Sequence, residues 1–116
     1  MIKYLAAATL VATAFSAADA APVPATMVIT LKNHQFSPSA ITVAVGQPVR
    51  IELINRDGTA EEIDADDLGW DIKLPPHGKV VLPLPAQLKP GSYPFRGEYH
   101  PKTALGTLTV AAPIQP

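Results

Sequence analysis

The sequence predicts an all-β fold, a single small sandwich, and three observations point there. Apolar and polar residues alternate with period two along most of the chain. Turn clusters rich in Pro, Gly, Asn and Asp interrupt these runs, and no long stretch carries the 3.6-residue period of a helix. Six or seven short strands separated by such turns suit an antiparallel β-sandwich, and no internal repeat suggests a larger array.

Each run has its own reason. Met27, Ile29 and Leu31 alternate with Val28, Thr30 and Lys32, which describes a strand with one buried face. After Ser37-Pro38-Ser39, Ile41, Val43 and Val45 alternate with Thr42 and Ala44, and Gly46-Gln47-Pro48 turns the chain. Val49, Ile51 and Leu53 oppose Arg50 and Glu52, and the run ends at Asn55-Arg56-Asp57-Gly58. One short helical turn is expected near Asp66 to Gly69. Past Leu74-Pro75-Pro76-His77-Gly78, Val80, Leu82 and Leu84 share a face. Pro83 there has no N–H for a ladder and predicts an edge or interrupted strand. Lys89-Pro90-Gly91 precedes a strand with Tyr93 and Phe95 inward, and Leu108 and Val110 mark the last strand.

The front of the chain reads as an export signal over residues 1–20. Lys3 supplies a positive start, Leu5 to Phe15 an uncharged apolar run, and Ala18-Asp19-Ala20 a small-residue cleavage site. The apolar run is shorter than the roughly 20 residues that cross a bilayer. The expected organisation is an extended leader at 21–26, the domain at 27–112 and a tail at 113–116. The expected product is a periplasmic protein with no membrane insertion after signal cleavage.

Composition removes several chemistries. There is no cysteine among the 116 residues, so disulfides, thiol nucleophiles and thiolate metal sites are excluded. A formal net charge of −1 gives no electrostatic reason to expect nucleic acid.

Charge is concentrated. Asp57, Glu61, Glu62, Asp64, Asp66, Asp67 and Asp71 fall within 15 residues, with no Lys or Arg among positions 57 to 71. A solvated acidic loop explains this on charge count alone. Crowded carboxylates also repel, and a hard cation such as Fe, Ca or Mn is one physical answer. A second cluster is Gly97-Glu98-Tyr99-His100-Pro101. If that segment stays extended, Glu98 and His100 share a side and form a usable ligand pair. His34 reads as an exposed loop residue or a further nitrogen donor, and His77 as solvent-facing. Of Tyr99 and Trp70, one is expected in the core and one exposed, unless both wall the site.

Phe36-Ser37-Pro38, Ile41-Thr42-Val43 with Gly46, Val49 to Asn55 with Asp57, Pro90-Gly91-Ser92-Tyr93 with Phe95, and Gly106 to Val110 together resemble the cupredoxin-like family. The resemblance runs from about Met27 to Ala111 and implies a Greek-key sandwich with a metal at one end. It departs from the family at the ligands. Glu61 stands at the first histidine position, Gly97 at the cysteine position and Leu105 at or near the methionine position. His100 alone matches. A type 1 copper centre, which needs the thiolate, is not supported.

The acidic stretch and Gly97-Glu98-Tyr99-His100-Pro101 look like a narrower subgroup, the Cys-less periplasmic proteins found with bacterial iron permeases. That resemblance implies Fe and/or Cu as the bound ion, oxidation of Fe(II), and an iron permease and a second periplasmic iron-binding protein as partners. It implies Glu61, Glu98 and His100 as ligands, with Glu62 or Asp67 as a further ligand or supporting group. The alternatives are a non-enzymatic copper or iron carrier and a metal-free sandwich that docks a partner.

Overall fold

The computed structural model describes residues 24–112, together with Thr9. The expected signal segment and the tail at 113–116 lie outside the described residues. Among the described residues nine strands form, in chain order: β1 Ala25–Lys32, β2 Gln35–Ser37, β3 Ala40–Ala44, β4 Val49–Asn55, β5 Glu61–Ala65, β6 Trp70–Leu74, β7 Lys79–Leu82, β8 Gly91–Gly97 and β9 Leu105–Ala111. They make two sheets, of order β2-β1-β4-β7 and β3-β9-β8-β5-β6. The all-β sandwich is as the alternation predicts. The strand count is higher, and β1 begins inside the stretch expected to be a leader, because Ala25 pairs with Val49.

Two differences have physical causes. The acidic stretch is not a loop: β5 and β6 form a hairpin around a 3-10 turn at Asp66–Leu68, closed by Gly69 in the left-handed conformation. Glu62, Asp64 and Asp71 occupy outward positions of these strands and Asp66 and Asp67 lie exposed in the turn, so of the hairpin's carboxylates only Glu61 points inward. The sheets are also mixed, since β1 runs parallel to β4 and β3 parallel to β9. Each parallel pair is separated along the chain by other strands, which local alternation does not encode. β7 is an edge strand and stops at Leu82, just before Pro83, which has no N–H to continue the ladder.

The core lies between the sheets. Ile29, Leu31, Ile51, Leu53 and Leu82 face Ile41, Val43, Ile63, Leu74, Phe95, Leu108 and Val110, all buried. Each contributes about 1.5–3 kcal/mol of burial free energy. Trp70 is a core residue that packs on Phe95 and donates its indole N–H to the Pro83 carbonyl at 2.6 Å. Tyr99 is the exposed one of the two.

The parallel register of β1 and β4 sets the position of the site. Leu31 sits opposite Asn55, so both strands finish at the same pole. The β1–β2 turn and the loop after β4 are therefore neighbours, and the loop after β8 joins them there.

Candidate metal centre

Asn55 organises this pole. It is buried, and its side-chain amide donates to the Thr59 and Pro75 carbonyls at 2.8 and 3.1 Å. Its Oδ1 accepts from the Asp57 N–H at 2.9 Å, which folds the loop into an Asx turn. Asp57 then reaches across to β1–β2. Its carboxylate accepts from the backbone N–H groups of Asn33 at 2.7 Å and His34 at 2.9 Å. Asn33 and His34 form a two-residue hairpin loop between Lys32 and Gln35, both with positive φ, as such a turn requires. Burial works against the charged form of Asp57, but the His34 and Asn33 N–H bonds and the nearby imidazoles hold its pKa below the ordinary aspartate value.

The centre of the site is Glu61. It begins β5 at an inward position, with Ile63 and Ala65, and is 1% exposed. Its Oε1 accepts from the N–H groups of Glu62 and Tyr99 at 3.1 and 2.8 Å. Its Oε2 lies 2.6 Å from His100 Nδ1. With the proton on Nδ1, this bond fixes the ring and leaves Nε2 free as a donor atom.

The loop after β8 is held closed at its neck, where Gly97 N–H donates to the Ala104 carbonyl at 2.8 Å. Inside it, the His100 N–H returns to the Gly97 carbonyl at 3.1 Å, and the His100 carbonyl accepts from Ala104 at 2.8 Å. A side chain at 97 is impossible without movement: a Cβ there would stand 2.7 Å from both Glu61 Cδ and Ala104 Cβ. The Glu61 carboxyl fills the space that a side chain at the cysteine position would enter. Leu105, at or near the methionine position, is exposed on the outer face and lines a different groove.

His34 completes the pole. It is half-buried, and its ring stacks on His100 with centroids 3.5 Å apart and planes within 10°. Its Nδ1 is 3.4 Å from Asp57 Oδ2. His34 is thus only partly exposed, and its ring faces His100. His34, Glu61 and His100 each offer a ligand atom within 4.8 Å of the others. His77 is exposed, as expected.

A second carboxylate group lies on the other face of the same sheet. Glu62, Asp64 and Glu98 also bring ligand atoms within 4.8 Å of one another. The sequence reading puts Glu62 and Glu98 with Glu61 and His100; the structure separates them. Successive residues of a strand face opposite ways, so Glu61 points inward and Glu62 outward. Glu98 and His100 do not share a side because β8 ends at Gly97 and the chain turns through Glu98 and Tyr99. Asp67, in the 3-10 turn, joins neither group and lines an exposed groove with Asp66, Arg96 and Leu105.

The outer group is electrostatically uncomfortable. A hydrogen bond shared with Asp71 is the largest influence raising the Glu62 pKa, followed by partial burial and the charges of Asp71 and Asp64. The Glu98 pKa is raised by its hydrogen bond to Asp64 and by the Asp64 and Glu62 charges, with Arg96 opposing.

Comparison with known proteins agrees with this architecture. The family model of the cupredoxin-like domain matches residues 4–110. The chain belongs to the cupredoxin-like family. Among curated proteins it is 37% identical over 82 residues to an uncharacterized protein, RP394, of Rickettsia prowazekii (strain Madrid E), which covers 71% of this chain. The chain spans 65% of that relative. Among solved structures it resembles the metal-binding domain of the Cu(I)-exporting P-type ATPase CopA of Streptococcus pneumoniae D39. The TM-score is 0.64 at 18% identity, covering 74% of this chain and 84% of that one. Oxidized plastocyanin of Dryopteris crassirhizoma matches with TM-score 0.58 at 21% identity, covering 73% of this chain and all of that one. At such identities the likeness is one of fold. No helix among the described residues is long and apolar enough to cross a membrane.

The side chains grouped at this pole, among the described residues, offer nitrogen and oxygen as donors, and the chain has no cysteine. Imidazole with carboxylate suits a borderline divalent metal such as Cu(II), whereas carboxylates alone suit harder cations. His34 is the site residue that sequence reasoning places least well. The signal was present, in an Asn-His pair between the alternating run that ends at Lys32 and the short Gln35-Phe36-Ser37 segment, but the pole that this turn meets depends on the parallel pairing of β1 with β4.

Proposed function

We propose that this chain is an exported metal-binding protein of ferrous-iron uptake, periplasmic in a Gram-negative host, with a Cu(II)-binding centre at Glu61 and His100. The observation that carries the reading is a carboxylate 1% exposed, 2.6 Å from an imidazole nitrogen, at the pole where the loops after β4 and β8 meet. His100 would supply the nitrogen donor. Glu61 would act as an oxygen donor or as the acceptor that orients the ring. Bound Cu(II) would supply a one-electron acceptor.

Fe(II) is the proposed substrate, and Glu62, Asp64 and Glu98 are the groups that would receive it. Their mutual repulsion is relieved by a cation, and oxygen donors favour Fe(III) once formed. The two groups are linked through the chain, Glu61 being next to Glu62 and Glu98 two residues before His100. An iron permease and a second periplasmic iron-binding protein are the proposed partners, consistent with the resemblance of the Glu98-Tyr99-His100 stretch.

The test adds Fe(II) anaerobically to the purified protein with or without Cu(II), admits dioxygen as terminal acceptor, and follows Fe(III) by absorbance. Wild type is expected to oxidise iron faster than a Glu98→Ala/His100→Ala double variant. Equal rates with tight stoichiometric binding would replace the oxidase by a carrier. The absence of any thermal shift with Cu or Fe would leave a metal-free docking sandwich.

A further inference from the structure

We propose that His34 is a second imidazole donor of the Glu61–His100 centre, delivered by the β1–β2 hairpin and positioned by Asp57. The inference rests on the metal-binding reading above and assigns it a residue outside the loops after β4 and β8.

The hairpin brings this side chain to the site by construction. Both residues of its two-residue loop have positive φ, and both of their N–H groups end on the Asp57 carboxylate. Asp57 is itself fixed by Asn55, the buried last residue of β4. The His34 backbone is thus tied to the loop that leads into Glu61, and its ring is set face to face with His100. The three ligand atoms lie within 4.8 Å of one another.

The stack also fixes what must move. An imidazole binds a metal along a lone pair in its own ring plane, at about 2.0–2.1 Å. Two planes parallel within 10° and stacked at 3.5 Å cannot both aim at one ion. One ring must turn out of the stack. His100 is held by the 2.6 Å bond to Glu61 and by its closed loop. The His34 side chain is 40% exposed, and its ring has only a 3.4 Å approach to Asp57, beyond ordinary hydrogen-bond length. His34 is the ring that turns, about its side-chain torsions, while Asp57 keeps its backbone in place. Asp57 is a positioning residue.

The test is Cu(II) titration of the full-length protein with electron paramagnetic resonance to count imidazole nitrogens. The variants are His34→Asn, Asp57→Asn and, as a control, His100→Gln. Asn tolerates the left-handed conformation of position 34, so the hairpin survives, and metal-free circular dichroism checks this. Wild type is expected to show two imidazole nitrogens. His34→Asn should show one and bind Cu(II) at least about tenfold more weakly. Asp57→Asn should keep two nitrogens and lose a smaller factor. If His34→Asn keeps the wild-type affinity and nitrogen count while His100→Gln loses binding, His34 is not a ligand and the underlying site stands. If wild type and His100→Gln behave alike, the underlying site fails, and this inference with it.

Discussion

Glu61 and Gly97 constrain each other. The carboxyl group occupies the volume a Cβ at 97 would need, 2.7 Å away, and Ala104 closes the other side at the same distance. Gly97→Ala is therefore expected to destabilise the fold by about 1–3 kcal/mol, because both obstacles are buried and backed by strands. Removing the carboxylate has a different cost. Glu61→Ala strands the Tyr99 and Glu62 N–H groups and deprives His100 of its acceptor. Chemical denaturation should show a loss of about 1.5–3 kcal/mol, with the His100 ring resonances broadened by motion. The sequence identifies both residues as family-position substitutions. It does not show that the two substitutions fill one space, because that depends on a contact between β5 and β8.

Among elements, the β1–β2 hairpin depends on a carboxylate 23 residues away. Replacing Asp57 by Ala removes two hydrogen bonds to a charged acceptor, and hydrogen exchange at the Asn33 and His34 amides should quicken at least tenfold. Alternation makes β1, β3, β4, β8 and β9 legible from their residues. β5 and β6 are harder to read because Glu61 occupies a buried position where the pattern calls for an apolar side chain. Outward Glu62, Asp64, Asp71 and Lys73 then leave a stretch that looks like a polar loop. The missing information is what compensates Glu61, namely two backbone donors and an imidazole from distant segments.

At the scale of the molecule, a formal charge of −1 conceals a strongly acidic face. The folded pKa values of Glu62 and Glu98 are raised above the ordinary 4.5. The folded state therefore binds protons more readily than the unfolded chain, and stability rises as pH falls from neutral through these raised values toward 4.5. Below that the gain is complete. The lowered Asp57 works in the opposite sense, and its stabilisation is lost as pH falls through its folded value, below 3.8. Thermal melts across this range should show a maximum in mild acid. Asp64→Asn should raise the neutral-pH melting temperature of the metal-free protein and flatten the acid-side rise.

The pole was legible in part. Resemblance and spacing bring the loops after Asn55 and Phe95 together, and Glu61 does meet His100. Strand parity and the turn after Gly97 put Glu62 and Glu98 on the opposite face, so one expected cluster is two. The most direct measurement is a Cu(II) thermal-shift and calorimetric titration of wild type beside a Glu61→Gln/His100→Gln double variant. Selective binding to the folded state must stabilise it, by about 2.7 kcal/mol at a hundredfold excess over Kd. A one-to-one stabilising site in wild type that is lost in the variant is the predicted result; the same shift and stoichiometry in both proteins would contradict it.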